Sequence, residues 1–156
     1  MQKDFVPLSA AVRGVPDAVG SVVDAIAQMA PHLATVVTAQ GSIKSEPLRE
    51  LLGPVLSQFD VVPGGQATFA SKRIDFAGLD QRIGVALQAG RAFANNGAIL
   101  SVLAAASSPN VDWAVVVVPE AYKGNSVYPK VFDQLQKLQG AHGIYLDLQG
   151  VILLSY

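Results

Sequence analysis

The stretch Asp112-Trp113-Ala114-Val115-Val116-Val117-Val118-Pro119 restricts this chain more than any other. Four consecutive valines favour extended backbone, because branching at Cβ suits a pleated strand better than a helix. The run is apolar at odd and even positions alike, so a strand built from it has no face fit for water. It must lie inside a sheet covered on both sides, and Pro119 marks where the pairing ends.

The remaining segments supply that cover. Val19, Val22, Val23, Ile26 and Met29 recur at helical spacing from Pro16 to about Met29, with Pro31 ending the helix or restarting it as a short second segment. Ser45 suits an N-cap, ahead of Glu46 and Pro47, and the helix it opens runs to an interruption at Gly53-Pro54, with another turn or two over Val55–Phe59. Phe59–Val62 reads as a short strand, Pro63-Gly64-Gly65 as a turn and Ala67–Ala70 as weakly strand-like. Stronger strands are expected at Arg73–Phe76 and Ile83–Leu87, and a buried, alanine-rich helix from about Arg91 to Ala106. An amphipathic helix over Val127–Leu138 precedes two strands, Ile144–Leu148 and Val151–Ser155, around Gln149-Gly150, as a terminal hairpin or two adjacent strands. The expected fold class is α/β: a mixed β-sheet flanked by helices on both faces. A single domain over 1–156 is expected, with an N-terminal helical part over 1–44.

Composition narrows the chemistry. A hydrophobic fraction of 51% against 15% charged residues excludes a disordered chain. No apolar run is long enough to span a bilayer, and the first residues lack a signal-peptide pattern, so a cytoplasmic protein is expected. There is no cysteine, hence no disulfide framework and no thiolate metal site. Formal net charge is −1, which gives the whole molecule no basic field. Locally, Lys44, Arg49, Lys72, Arg73, Arg82 and Arg91 fall in the middle third with few acids between them, as either a solvated surface or a phosphate-binding face.

The phosphate-binding, dinucleotide-binding and nucleophile-elbow motifs are absent. His32 and His142 stand far apart near expected turns, and read as surface. A carboxylate remains. Asp75 lies between Ile74 and Phe76 in an apolar strand pattern, where an unpaired charge is costly. It either pairs with Arg73 or Arg82, or holds a divalent cation at an open sheet edge.

Lys72-Arg73-Ile74-Asp75-Phe76, a turn, then Ile83-Gly84-Val85-Ala86-Leu87-Gln88-Ala89-Gly90 and a helix resembles the core of the PD-(D/E)XK nucleases. The likeness is to type II restriction endonucleases whose second motif ends in glutamine, and it covers roughly residues 45–156 as a nuclease-like core. It implies a restriction endonuclease-like fold and Mg²⁺-dependent hydrolysis of phosphodiester bonds in duplex DNA by a homodimer. Carried onto this sequence, Asp75 would bind the metal and the Leu87 carbonyl would join it. Gln88 would position the attacking water, and Glu50 would be an auxiliary acid or an ordinary exposed helix residue. Lys72, Arg73, Arg82, Arg91 and Asn95 would contact the nucleic acid.

One position departs from the pattern. Ala86 occupies the place of the second metal-binding carboxylate, and an enzyme lacking that ligand is impaired. The alternative is a non-catalytic, homo-oligomeric binding or assembly module on the same α/β scaffold, with Tyr122, Tyr128, Tyr145 and Tyr156 as candidate contacts. A third reading, a small-molecule enzyme, would use the polar loop Pro119–Asn125.

Overall fold

The computed structural model describes residues 1–36, 41–64, 68–69 and 72–156, without the side chains of 68, 69, 72 and 73. Its strands are β1 (Lys3–Pro7), β2 (Val62–Pro63), β3 (Thr68–Phe69), β4 (Lys72–Arg73), β5 (Phe76–Gly78), β6 (Ile83–Leu87), β7 (Trp113–Val118), β8 (Ala121–Tyr122), β9 (Asn125–Ser126) and β10 (Gly150–Ser155). The α-helices are α1 (Asp17–Leu33), α2 (Ser45–Ser57), α3 (Gly97–Ala106) and α4 (Tyr128–Gln139). The fold is mixed α/β, as expected. Its main sheet runs in the order β1-β10-β7-β6-β5-β2.

β7 lies between β10 and β6, parallel to both, while β1, β5 and β2 pair antiparallel. Alternation along β7 divides the core. Trp113, Val115 and Val117 join a cluster with α1 and α2, whereas Ala114, Val116 and Val118 join one with α3 and α4. Two side-chain layers therefore sandwich the valine run. No helix among the described residues is long and apolar enough to cross a membrane.

Several local expectations are corrected. Pro31 and Pro54 both lie inside helices, which continue to Leu33 and Ser57. Each helix places a fully buried leucine after its proline, Leu33 and Leu56, and that burial offsets the lost backbone hydrogen bond. Ser45 is the first helical residue, with Lys44 as an N-cap that makes no side-chain bond. Only Val62 of the strand expected at Phe59–Val62 is extended, since Asp60 adopts φ 55° in a turn. Asp75 is a bend between β4 and β5. Gly65, Ala67 and Ala70 lie outside the described residues.

The helix expected from Arg91 begins only at Gly97. Asn95 and Asn96 take left-handed conformations (φ 54° and 56°), leaving a 3-10 turn over Ala94–Asn96. Asparagine tolerates that region, so Asn95-Asn96-Gly97 acts as a turn signal that interrupts the alanine-rich pattern. The terminal hairpin is also absent. β10 already has β7 on one side and β1 on the other, so no edge is left for Ile144–Leu148, and Tyr145 stands 94% exposed. The N-terminal part, read as helical, contributes β1 as well.

Two glycines test this packing in opposite directions. An alanine at Gly20, inside α1, meets nothing within 4 Å. Gly20→Ala is expected to raise stability by about 0.5–1 kcal/mol through lower chain entropy. At Gly150 a Cβ would stand 2.5 Å from the Phe5 ring and 3.1 Å from the Val6 carbonyl. Gly150→Ala should cost about 1–3 kcal/mol. Urea unfolding reads both, and equal effects would refute the packing described.

Candidate functional site

β6, β7 and β10 run in one direction, so Leu87, Val118 and Ser155 end at a common pole. Antiparallel β5 starts there, immediately after Asp75. The paired register ends at Phe76↔Val85, and the Asp75 backbone N–H also donates to the Val85 carbonyl, so Asp75 is an extra residue at the end of the ladder. Ile74 before it belongs to the α3–α4 cluster and Phe76 after it to the α1–α2 cluster. Alternation sends Ala86 away from Val85 and Leu87, which belong to the α1–α2 cluster, so the two positions singled out by the motif share a sheet end but face opposite sides.

Asp75 is held from α2. Arg49 Nη1 donates to its Oδ1 at 2.8 Å, and the Leu87 backbone N–H donates to its Oδ2 at 2.7 Å. Its side chain is only 12% exposed. Desolvation of the carboxylate is met by a guanidinium and a charge-assisted backbone bond, with no need for a bound cation. The pair lines a cavity of about 410 Å³ with Pro63, Gly64 and Ile74. Sequence reasoning offered Arg73 or Arg82 as the partner. Arg49 supplies the charge because α2 passes beside the β5–β6 end, a tertiary proximity with no sequence signature.

The other expected residues scatter. Glu50 is exposed and lines a separate cavity of about 300 Å³ with Glu46, Arg49, Pro63 and Phe76. Gln88 is buried, at 8% exposure, and locked on several sides. Its backbone N–H donates to the Val117 carbonyl, its Nε2 to Ser101 Oγ at 2.7 Å, and its carbonyl accepts from the Tyr156 hydroxyl at 2.9 Å. Among the described residues it shares no hydrogen bond with Asp75. Leu87 meets Asp75 through its amide, the opposite polarity from a cation ligand. The side chains of Lys72 and Arg73 lie outside the described residues.

Arg82 is a correction as a nucleic-acid contact on this pole. It precedes β6, at the opposite end of the strand from Leu87, roughly 16 Å away at strand rise. Its guanidinium grips Asp112 through Nε at 2.5 Å and Nη2 at 2.8 Å, and donates to the Pro109 carbonyl. That hydrogen-bonded pair holds the Asp112 carboxyl below its ordinary range. Arg91 and Asn95 are exposed, on turns and not on a helix face.

Among the described residues no three His, Cys, Asp or Glu side chains gather as a metal-binding group. With both Asp75 oxygens engaged and a methyl at Ala86, the donors present do not fit a hydrated magnesium ion. Of the tyrosines offered for assembly, Tyr128 and Tyr156 are buried. Tyr128 donates to Asp4 Oδ2 at 2.7 Å, and its hydroxyl pKa is pushed up, chiefly by burial and then by that bond. Burial also raises that of Tyr156. No protein-family model matches the chain, and no curated protein matches it.

Two measurements follow from this geometry. In a double-mutant cycle, Asp75→Ala should cost about 2 kcal/mol, because it strands the Leu87 amide. Its coupling to Arg49→Met should be about 1 kcal/mol, reduced by the exposure of Arg49. A coupling of zero would mean that the pair does not hold the pole. For Tyr156, a folded-state pKa above that of the unfolded chain means that its contribution is complete below pH ~10 and lost as pH rises further. Tyr156→Phe should lose about 1 kcal/mol at neutral pH, yet decline less steeply above pH ~10 in urea melts. An unchanged alkaline slope would refute this role.

Proposed function

We propose that this chain is a restriction endonuclease-like domain, with duplex DNA as its ligand, that does not hydrolyse DNA in its present form. The observation that carries the reading is the order of elements around Asp75, a helix, strand-meander, helix, strand succession with the carboxylate at the start of β5: α2, then β2-β5-β6 antiparallel, then α3, then β7 parallel to β6. Metal-dependent hydrolysis is the activity the scaffold implies. Here Arg49 occupies Asp75, and Ala86 offers no oxygen. A cytoplasmic location and pairing of two copies belong to the same proposal.

The test combines cleavage with ligand-linked stability. The native chain should leave plasmid DNA intact in Mg²⁺, and 10 mM Mg²⁺ should not shift its Tm. Ala86→Glu combined with Arg49→Met adds a carboxylate at the same sheet end and frees Asp75 from its guanidinium. Mg²⁺ should then stabilise this variant, by about 1.4 kcal/mol if its Kd is on the order of 1 mM. Cleavage by the native chain, or a double variant indifferent to Mg²⁺, would sink the proposal.

A further inference from the structure

The same pole carries a second set of charges on the α3–α4 side of the sheet, which the motif does not use. Gly90 and Arg91 follow the end of β6. The hairpin β8–β9 follows the end of β7, and its Tyr122 packs so closely on Gly90 that a Cβ there would lie 2.1 Å from the ring. Lys123, at the tip of that hairpin, stands over the Tyr122 ring with its Nζ 5.5 Å from the centroid. Lys130, in the first turn of α4, lies over Phe93 at 4.5 Å. The α4 residue Gln134 also fastens this turn, donating to the Phe93 carbonyl at 3.2 Å and to Asn96 Oδ1 at 3.5 Å.

Arg91, Lys123 and Lys130 are therefore set by contacts running through one connected group of residues. All three are exposed, and among the described residues none takes part in an ion pair. The acids nearest in the chain are otherwise placed. Asp133 pairs with Lys137, and Glu120 lines a cavity on the α1 side with Met1, Pro31 and Tyr156.

We infer that Arg91, Lys123 and Lys130 form a phosphate-binding crescent that holds a nucleic-acid backbone without any divalent cation. The inference deepens the DNA-binding reading above and rests on it. Cations without an ion-pair partner match a polyanion, since they give up no internal salt bridge on binding. Asn95, exposed on the same turn as Arg91, carries the paired amide donor and acceptor that suit base or sugar edges. A lipid surface would call for an apolar rim in addition; the Tyr122 ring is packed on Gly90, and the remaining hairpin residues beyond Lys123 (Gly124, Asn125 and Ser126) are small or polar.

Fluorescence anisotropy with a labelled 20-base-pair duplex in EDTA tests the crescent. Three phosphate contacts predict a log–log salt slope near −2.7, so binding should weaken about 40-fold between 50 and 200 mM salt. Arg91→Gln, Lys123→Gln and Lys130→Gln should each reduce the slope by about 0.9, and together abolish it. Their exposed positions should leave Tm unchanged, which the same samples verify. No duplex binding at 50 mM salt, a slope that survives the triple substitution, or equal binding to phosphatidylserine vesicles or polyglutamate would overturn the inference. The Mg²⁺ response of the Ala86→Glu/Arg49→Met variant reads the nuclease-like proposal separately, so either can fail while the other stands.

Discussion

Everything in this fold depends on burying β7 on both faces. Neither of its faces can meet water, so two independent helical layers are needed. Chain direction then determines which helices form each layer. From β6 through α3 to β7, and from β7 through α4 to β10, the sheet grows in one direction through parallel crossovers. A common crossover hand puts both connecting helices on the same face. The other face is left to α1 and α2, whose Val19, Val22, Leu48 and Leu52 complete the second core. α1 is therefore integral to the sheet's cover, and β1 shields the outer edge of β10.

The same topology explains what collects at the pole. Parallel strands bring their ends together, and antiparallel β5 adds the residue before it, Asp75. A carboxylate there, 12% exposed, must be neutralised or coordinated. A divalent ion would need further oxygens, and among the described residues no group of three metal-ligating side chains gathers to supply them. Arg49 meets the requirement with one hydrogen-bonded guanidinium, and the Leu87 amide fills the other oxygen. The charge is thereby satisfied inside the protein, which makes the pole a structural joint in the chain as it stands.

Legibility followed burial. Ile83–Leu87 was readable to the residue and Trp113–Val118 nearly so, because a strand hidden on both faces has little freedom in composition. α1 and α4 were legible from their stripes. Failures came where a local signal met a tertiary one. Pro31 reads as an end or a restart and Gly53-Pro54 as an interruption, but buried leucines beyond the prolines keep each helix continuous. Val151–Ser155 is legible as a strand, but its partners are not, because pairing with β1 spans nearly the whole chain. At the candidate site Asp75 was found as an out-of-place charge. Arg49 stands in the basic set of the middle third, yet nothing in the sequence pairs it with Asp75; Lys123 falls in the polar loop Pro119–Asn125, and Lys130 has no signal because exposed helix lysines are ordinary.

Charge balance links the two halves of the pole. A hydrolytic centre with two bare carboxylates repels phosphate until a metal arrives, so binding and metal loading are coupled. In this chain one carboxylate is cancelled by Arg49 and the other is absent, which removes that repulsion without an ion. The proposed crescent on the α3–α4 side would then meet little opposition from the sheet end. On the proposed reading, the alanine at position 86 does more than remove a ligand. It would turn a pole that admits DNA through a metal into one that admits it through arginine and lysine alone, with affinity set by salt instead of magnesium.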